Sequence, residues 1–120
     1  MRLHLWLESD QGIYFGMGRV QLLVAIEELG SLRKAADKLG MSYRAAWGKM
    51  RATEKAAGVK LLKRRGHRSE GYELTKEGKE LRDKFLQWFD LVEGTALKEA
   101  KKIFKVRVSK YPAGKKPSDK

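Results

Sequence analysis

Residues Ser31 to Gly58, SLRKAADKLGMSYRAAWGKMRATEKAAG, constrain the fold of this chain more than any other stretch. They hold two helical patterns separated by a single Gly. Ser31 can cap the first helix, because its hydroxyl accepts from the free N–H groups of the opening turn. Leu32, Ala35, Ala36 and Leu39 then recur at helical spacing. Gly40 suits the left-handed position that ends a helix. Ser42 can cap the second helix, which spans 43–57. Ala46, Trp47 and Met50 give it an apolar face, and Arg44, Gly48, Arg51 and Lys55 lie opposite. A short helix, a tight Gly turn and a basic second helix predict a helix-turn-helix, a motif whose second helix lies in a DNA major groove.

The rest of the chain completes a winged form of that motif. Leu3, Leu5 and Leu7 alternate with His4, Trp6 and Glu8, the period of a half-buried strand. A turn over 8–12 and a return strand over 13–15 make an N-terminal hairpin. Trp6 falls on its polar face, as a dimer contact or as local packing. Val20, Leu23, Ile26 and Leu29 predict a core helix over 19–29, ended by Gly30. Val59, Leu61 and Leu62, a basic loop over 63–71, and Tyr72 to Leu74 predict a wing just after the recognition helix. Thr75 can cap a long last helix over 76–106, with Glu77 at the positive end of its dipole. Leu81, Phe85, Trp88 and Val92 form a coiled-coil-like seam on it, with Phe89, Ala96, Ala100 and Ile103 beside them. So much apolar surface on one helix predicts a homodimer, with Trp6, Leu81, Phe85, Trp88, Phe89 and Val92 at the interface. The alternative is a helix folded back on its own domain. The fold class expected is therefore mainly α with small β-hairpins: one winged helix-turn-helix domain over 1–108 and a disordered basic tail over 109–120.

Charge fixes the class of partner. Across 120 residues, 27 Lys and Arg stand against 15 Asp and Glu, a net charge of +12. The last eleven residues carry four Lys and one Asp, +3 of that charge, which leaves +9 on the body. A basic folded body favours a polyanion, here double-stranded DNA. The residues expected to face it are Ser31, Arg33 and Lys34, then Ser42, Tyr43, Arg44, Ala45, Gly48, Lys49 and Arg51. Arg64, Arg65, His67 and Arg68 join them from the wing, whose cations suit phosphates or the minor groove.

Other classes are disfavoured. Cysteine is absent, which excludes disulfides and thiolate metal sites. His67 is a poor metal-ligand candidate with one other His in the chain. No P-loop, paired-His zinc motif or nucleophile elbow is present, so neither enzyme nor cofactor is expected. An acidic, non-apolar N-terminus and the lack of a long apolar run predict no signal peptide or membrane span, hence a cytoplasmic protein. The competing reading is a non-specific or architectural nucleic-acid binder that uses charge alone.

Several of these segments resemble a known family. The run Gly18-Arg19-Val20-Gln21-Leu22-Leu23, then Gly30-Ser31, Ala35-Ala36 and Leu39 to Trp47, is similar to the N-terminal domain of ModE-type molybdate-responsive transcription regulators. Leu5 to Glu8 and Leu74-Thr75-Lys76-Glu77-Gly78 belong to the same pattern, and the Leu-Thr-x-x-Gly piece is shared with LysR-type regulators. The resemblance covers residues 3 to 92 and implies a dimeric winged helix-turn-helix on a palindromic operator. It places Ser42, Tyr43 and Arg44 at the start of the recognition helix and Trp47 in the core. Gly48 departs from the Asp common in that family, and the wing lacks its long Gly run. No molybdate-binding domain follows the long helix, so molybdate sensing is not expected, nor a small-molecule effector within this chain.

Overall fold

The structure is a computed structural model and describes residues 1–10, 12–66 and 71–112. Two short antiparallel hairpins flank a helical core. In chain order the elements are β1 (Trp6–Ser9), β2 (Gly12–Gly16), α1 (Met17–Leu29), α2 (Leu32–Lys38), α3 (Tyr43–Ala57), β3 (Leu62–Arg64), β4 (Tyr72–Leu74) and α4 (Lys76–Phe104). The expected fold class is the one observed, and α3 has the expected bounds.

The core lies where α1, α2 and α3 meet, with β4 and the first turns of α4 closing it. Phe15, Leu22, Leu23, Ile26, Leu32, Met50 and Leu61 are fully buried in it. The turn between α2 and α3 is held by backbone alone. Gly40 adopts φ 70°, its N–H donates to the Asp37 carbonyl, and Met41 N–H reaches back to Ala36 at 2.9 Å. This pair of bonds satisfies the last carbonyls of α2 and needs a residue that tolerates the left-handed region.

Two elements begin elsewhere than expected. Helix α1 starts at Met17, capped by extended Gly16, rather than at Arg19. That early start shortens the N-terminal ladder. Trp6 pairs with Gly16 and Leu7 with Phe15, and no strand residue remains to face Leu3 or Leu5. The strand is therefore Trp6–Ser9, with every side chain exposed, instead of a half-buried strand from Leu3. A bulge between Leu7 and Glu8 shifts the register. Phe15 anchors the hairpin, its ring edge-on to Phe85 at 5.6 Å. The second hairpin pairs Leu62 with Leu74 and Arg64 with Tyr72. Val59 lies outside it and is exposed.

Helix α4 docks on the core only along its N-terminal part. Thr75 caps it, accepting from Gly78 N–H at 3.0 Å and donating to the Lys60 carbonyl at 2.7 Å. Gly78 lets the helix approach the chain before β3 closely, since a Cβ there would lie 2.4 Å from the Leu61 carbonyl oxygen. Arg82 pairs with Glu27 on α1 and with Asp83. Phe85 is 3% exposed and packs in one aromatic cluster with Phe15 and Trp88 edge-on and Phe89 stacked. Leu81, Trp88 and Phe89 pack half-buried on the edge of the core.

The seam expected between subunits is thus, over Leu81 to Phe89, the docking face of α4 on its own subunit. Phe85 in particular is a core residue. Spacings of three and four residues mark an apolar helical face but do not say which chain covers it. Further along, Leu91, Ile103 and Phe104 are each more than two-thirds exposed. After α4 the chain reverses at Lys105 (φ 53°) and returns beside the helix. Lys110 reaches Asp90 at 3.7 Å, Ser109 accepts from the Met1 ammonium, and Tyr111 accepts from Arg2 at 3.1 Å. The first residues of the expected tail are engaged in this way, and residues 113–120 lie outside the described residues.

Candidate nucleic-acid interface

The outward face of α3 combines exposure, charge and rigidity. Ser42 starts it, its hydroxyl accepting from Ala45 N–H at 3.0 Å. Arg44, Ala45, Gly48, Lys49, Arg51, Ala52 and Lys55 are exposed, while Ala46, Met50 and Thr53 are buried on the other side. Ala45, Gly48 and Ala52 recur at spacings of three and four, so small residues run down the middle of the exposed face. Cations flank them. Such a face lets the helix backbone come close to a groove while Arg and Lys reach its walls.

Three contacts between residues far apart in the chain or in different elements fix the attitude of α3. Arg19 on α1 donates from Nη1 to Thr53 Oγ1 at 2.7 Å, a contact inside the helix layer. Burial lowers the pKa of this guanidinium, which stays charged at neutral pH. Glu54 is the acid of an otherwise basic helix. Its Oε2 accepts from Leu61 N–H at 2.8 Å and Leu62 N–H at 3.2 Å, pinning the C-terminal end of α3 to the start of β3. The carboxylate is thereby engaged by the backbone N–H groups of Leu61 and Leu62. One sign of this lay in the sequence: an acid within a basic helix followed by a strand has two unpaired N–H groups nearby to satisfy. The third contact is Trp47 against Tyr72, 5.6 Å between ring centroids. Trp47 is packed against the core as expected, but half-buried, with its ring shared between the core and the wing.

The remaining expected residues gather around α3 unevenly. Ser31 caps α2, accepting from Lys34 N–H at 3.1 Å, and bridges to Gly71 at the base of the wing. Arg33 on α2 lies over the Tyr43 ring at 4.4 Å, so these two sit together at the N-terminal end of α3. Lys34 is exposed beside them. Arg64 lies over the Tyr72 ring at 5.8 Å, and Arg51 over Trp47 at 5.3 Å. The Arg65 side chain lies against Gly30 in the α1–α2 turn instead of extending from the wing. His67 and Arg68 lie outside the described residues. A shallow depression of about 310 Å³, lined by Arg51, Glu54, Lys55, Gly58, Val59 and Lys60, continues the basic surface past the end of α3. Among the described residues no group of three or more His, Cys, Asp or Glu could hold a metal ion. No helix among them is long and apolar enough to cross a membrane.

Comparison with known proteins agrees with this geometry. The ModE transcriptional regulator of Haemophilus influenzae is 33% identical over 93 residues, 76% of this chain. The chain spans 35% of the length of that relative. Among solved structures, the complex of the CbnR DBD with DNA superposes with a TM-score of 0.55 at 26% identity, covering 66% of this chain and 87% of that one. The complex of the BenM DBD with catB site 1 DNA gives 0.56 at 25% identity, covering 76% and 97%. Residues 17–79, just over half of the chain, match the model of the bacterial regulatory helix-turn-helix proteins of the lysR family, and the chain belongs to that family.

Proposed function

We propose that this chain binds double-stranded DNA sequence-specifically, as a homodimer on a palindromic operator, and so regulates transcription. The observation that carries this reading is the exposed face of α3, where Arg44, Lys49 and Arg51 flank Ala45 and Gly48 on a helix fixed at both ends. In this reading α3 enters the major groove. Arg44, one residue past the first helical position, presents its guanidinium to a guanine edge. Tyr43, Lys49, Arg51, Arg33 and Lys34 hold phosphates, and Arg64 adds a backbone contact from the wing. Two similar solved structures are DNA complexes, and the curated relative is a transcriptional regulator, which supports the same reading.

The dimer follows from size. One winged helix reads only a few base pairs, and two copies related by a twofold axis double the contacts and fix the half-site spacing. With Phe85 committed to its own core, the surface left for a partner is the distal part of α4. Val92, Ala96, Ala100 and Ile103 continue the apolar stripe there, flanked by exposed Leu91 and Phe104. The helix has 29 residues and is about 43 Å long at 1.5 Å per residue, enough to project beyond the body.

Selection of bound duplexes from a random pool tests the function. The expected product is one inverted repeat with half-sites about one helical turn, or a multiple, apart. Enrichment of no sequence, with tight binding to all, favours the architectural reading that the +12 charge also suits.

A further inference from the structure

Four side chains form one continuous stack from the recognition helix to the wing. The Arg51 guanidinium lies 5.3 Å from the Trp47 ring centroid. Trp47 meets Tyr72 at 5.6 Å with the rings tilted by 45°. Tyr72 carries the Arg64 guanidinium at 5.8 Å. Both ends are cations and the middle is two aromatic rings, so each guanidinium rests on the negative face of a ring. The stack is also fixed by backbone. Tyr72 is 8% exposed, lies directly opposite Arg64 in the hairpin, and donates its N–H to the Gly30 carbonyl at 3.2 Å. The base of the wing is therefore anchored to the helix-turn-helix through the α1–α2 turn and, separately, through Trp47.

We propose that Trp47 and Tyr72 are positioning residues that hold Arg51 and Arg64 as one pair, so that recognition helix and wing grip the DNA phosphate backbone as a unit. The inference rests on the DNA-binding reading above and adds to it the source of the wing's alignment. A guanidinium stacked through its face still presents an N–H edge suited to phosphate, which is why Arg serves both ends of such a stack. An Arg on an unbraced side chain loses rotamer freedom when it binds. A stacked one has lost much of it beforehand, and because the two rings pack on each other at 5.6 Å, the bracing of one cation depends on the ring that carries the other. Neither Arg51 nor Arg64 contributes independently in such an arrangement.

The test is a set of affinity measurements on the full chain with Arg51→Ala, Arg64→Ala and both together. Each is made in the parent, in Tyr72→Phe and in Tyr72→Leu. Phosphate contacts are sequence-independent, so the set is run both on the selected operator and on a random duplex. In the parent and in Tyr72→Phe, each single change is expected to weaken binding about five- to tenfold, and the double change little more than either alone. In Tyr72→Leu, where the Arg64 contact is already lost, Arg64→Ala should cost little further while Arg51→Ala keeps a loss of its own. Tyr72→Leu removes no charge, yet it should lower the log–log dependence of affinity on salt by about one unit, the signature of one lost phosphate contact. Losses that multiply within about twofold in the parent, as for independent sites, overturn the coupling, as does an unchanged salt slope in Tyr72→Leu. If the parent shows no preference between operator and random duplex, the regulatory reading fails instead, and the set on either duplex still decides the coupling.

Discussion

Helices α3 and α4 are alike in construction and differ in what surrounds them. Both are amphipathic and both start on a hydroxyl cap, Ser42 for α3 and Thr75 for α4. Helix α3 has 15 residues and is held along its length: Met50 and Ala46 in the core, Thr53 to Arg19, Glu54 to the start of β3, Trp47 to the wing. Its exposed side is left to small residues and cations. Helix α4 has 29 residues, of which those up to Phe89 meet the core. Beyond them Leu91, Ile103 and Phe104 stay exposed. A fully braced helix with a polar outer face has no further folding energy to gain, so that face is available for a ligand. A half-braced helix with an apolar outer end gains by being covered.

Substitutions can break this contrast. The largest effect is expected at Phe85, where α4 enters the core. Phe85→Ala should lower stability by about 3–5 kcal/mol, as for other buried aromatics, read by thermal or denaturant unfolding. The same truncation at Leu91 should leave the unfolding transition almost where it was. A comparable loss at both positions would mean that the whole helix is core. Next comes Gly78→Ala, whose methyl meets the Leu61 carbonyl. A loss of about 1–3 kcal/mol is expected, the usual cost of overpacking, because α4 must lift away from β3.

A change at the far end of α3 sharpens the other side of the contrast. Glu54→Ala strands the N–H groups of Leu61 and Leu62, which should cost about 1–3 kcal/mol and loosen α3 at its C-terminal end. Stability unchanged by this variant would remove Glu54 from the account of how the helix is held. Arg44→Ala should leave stability alone and weaken operator binding about tenfold or more, with preference relaxed at one base position. Equal losses on operator and random DNA would make Arg44 a phosphate contact. The smallest effect on folding belongs to Ile103→Glu. The melting of the dilute protein should not move, while light scattering should show the dimer dissociating at a higher concentration. A dimer unchanged by Ile103→Glu would exclude the distal part of α4 as its interface.

The sequence showed what local chemistry decides. The caps at Ser31, Ser42 and Thr75 and the turn at Gly40 each rest on one residue type in one position, and each is present. The bounds of α3 and the two faces of that helix followed from them. What stayed hidden depends on residues far apart in the chain. Nothing in the spacing of Leu81, Phe85, Trp88 and Val92 says whether a helix face meets its own core or a partner. The partner of Phe85 is Phe15, seventy residues earlier. The N-terminal strand failed as an expectation for a related reason. A strand needs a partner, and the partner ends where α1 begins at Met17. Arg19 and Tyr72 were illegible as site-building residues because their partners lie in other elements. Arg65 was legible as a cation but not as one that lies over Gly30.

The central claim is that the braced outer face of α3 discriminates among DNA sequences and does not merely attract DNA by charge. The most direct test is the ratio of affinities of the unmodified protein for its selected operator and for a scrambled duplex of equal length, both at about 0.15 M salt. A specific reader should favour the operator by about a thousandfold or more. A ratio near one, with tight binding to both duplexes, would contradict the account and leave the basic surface as a general polyanion binder.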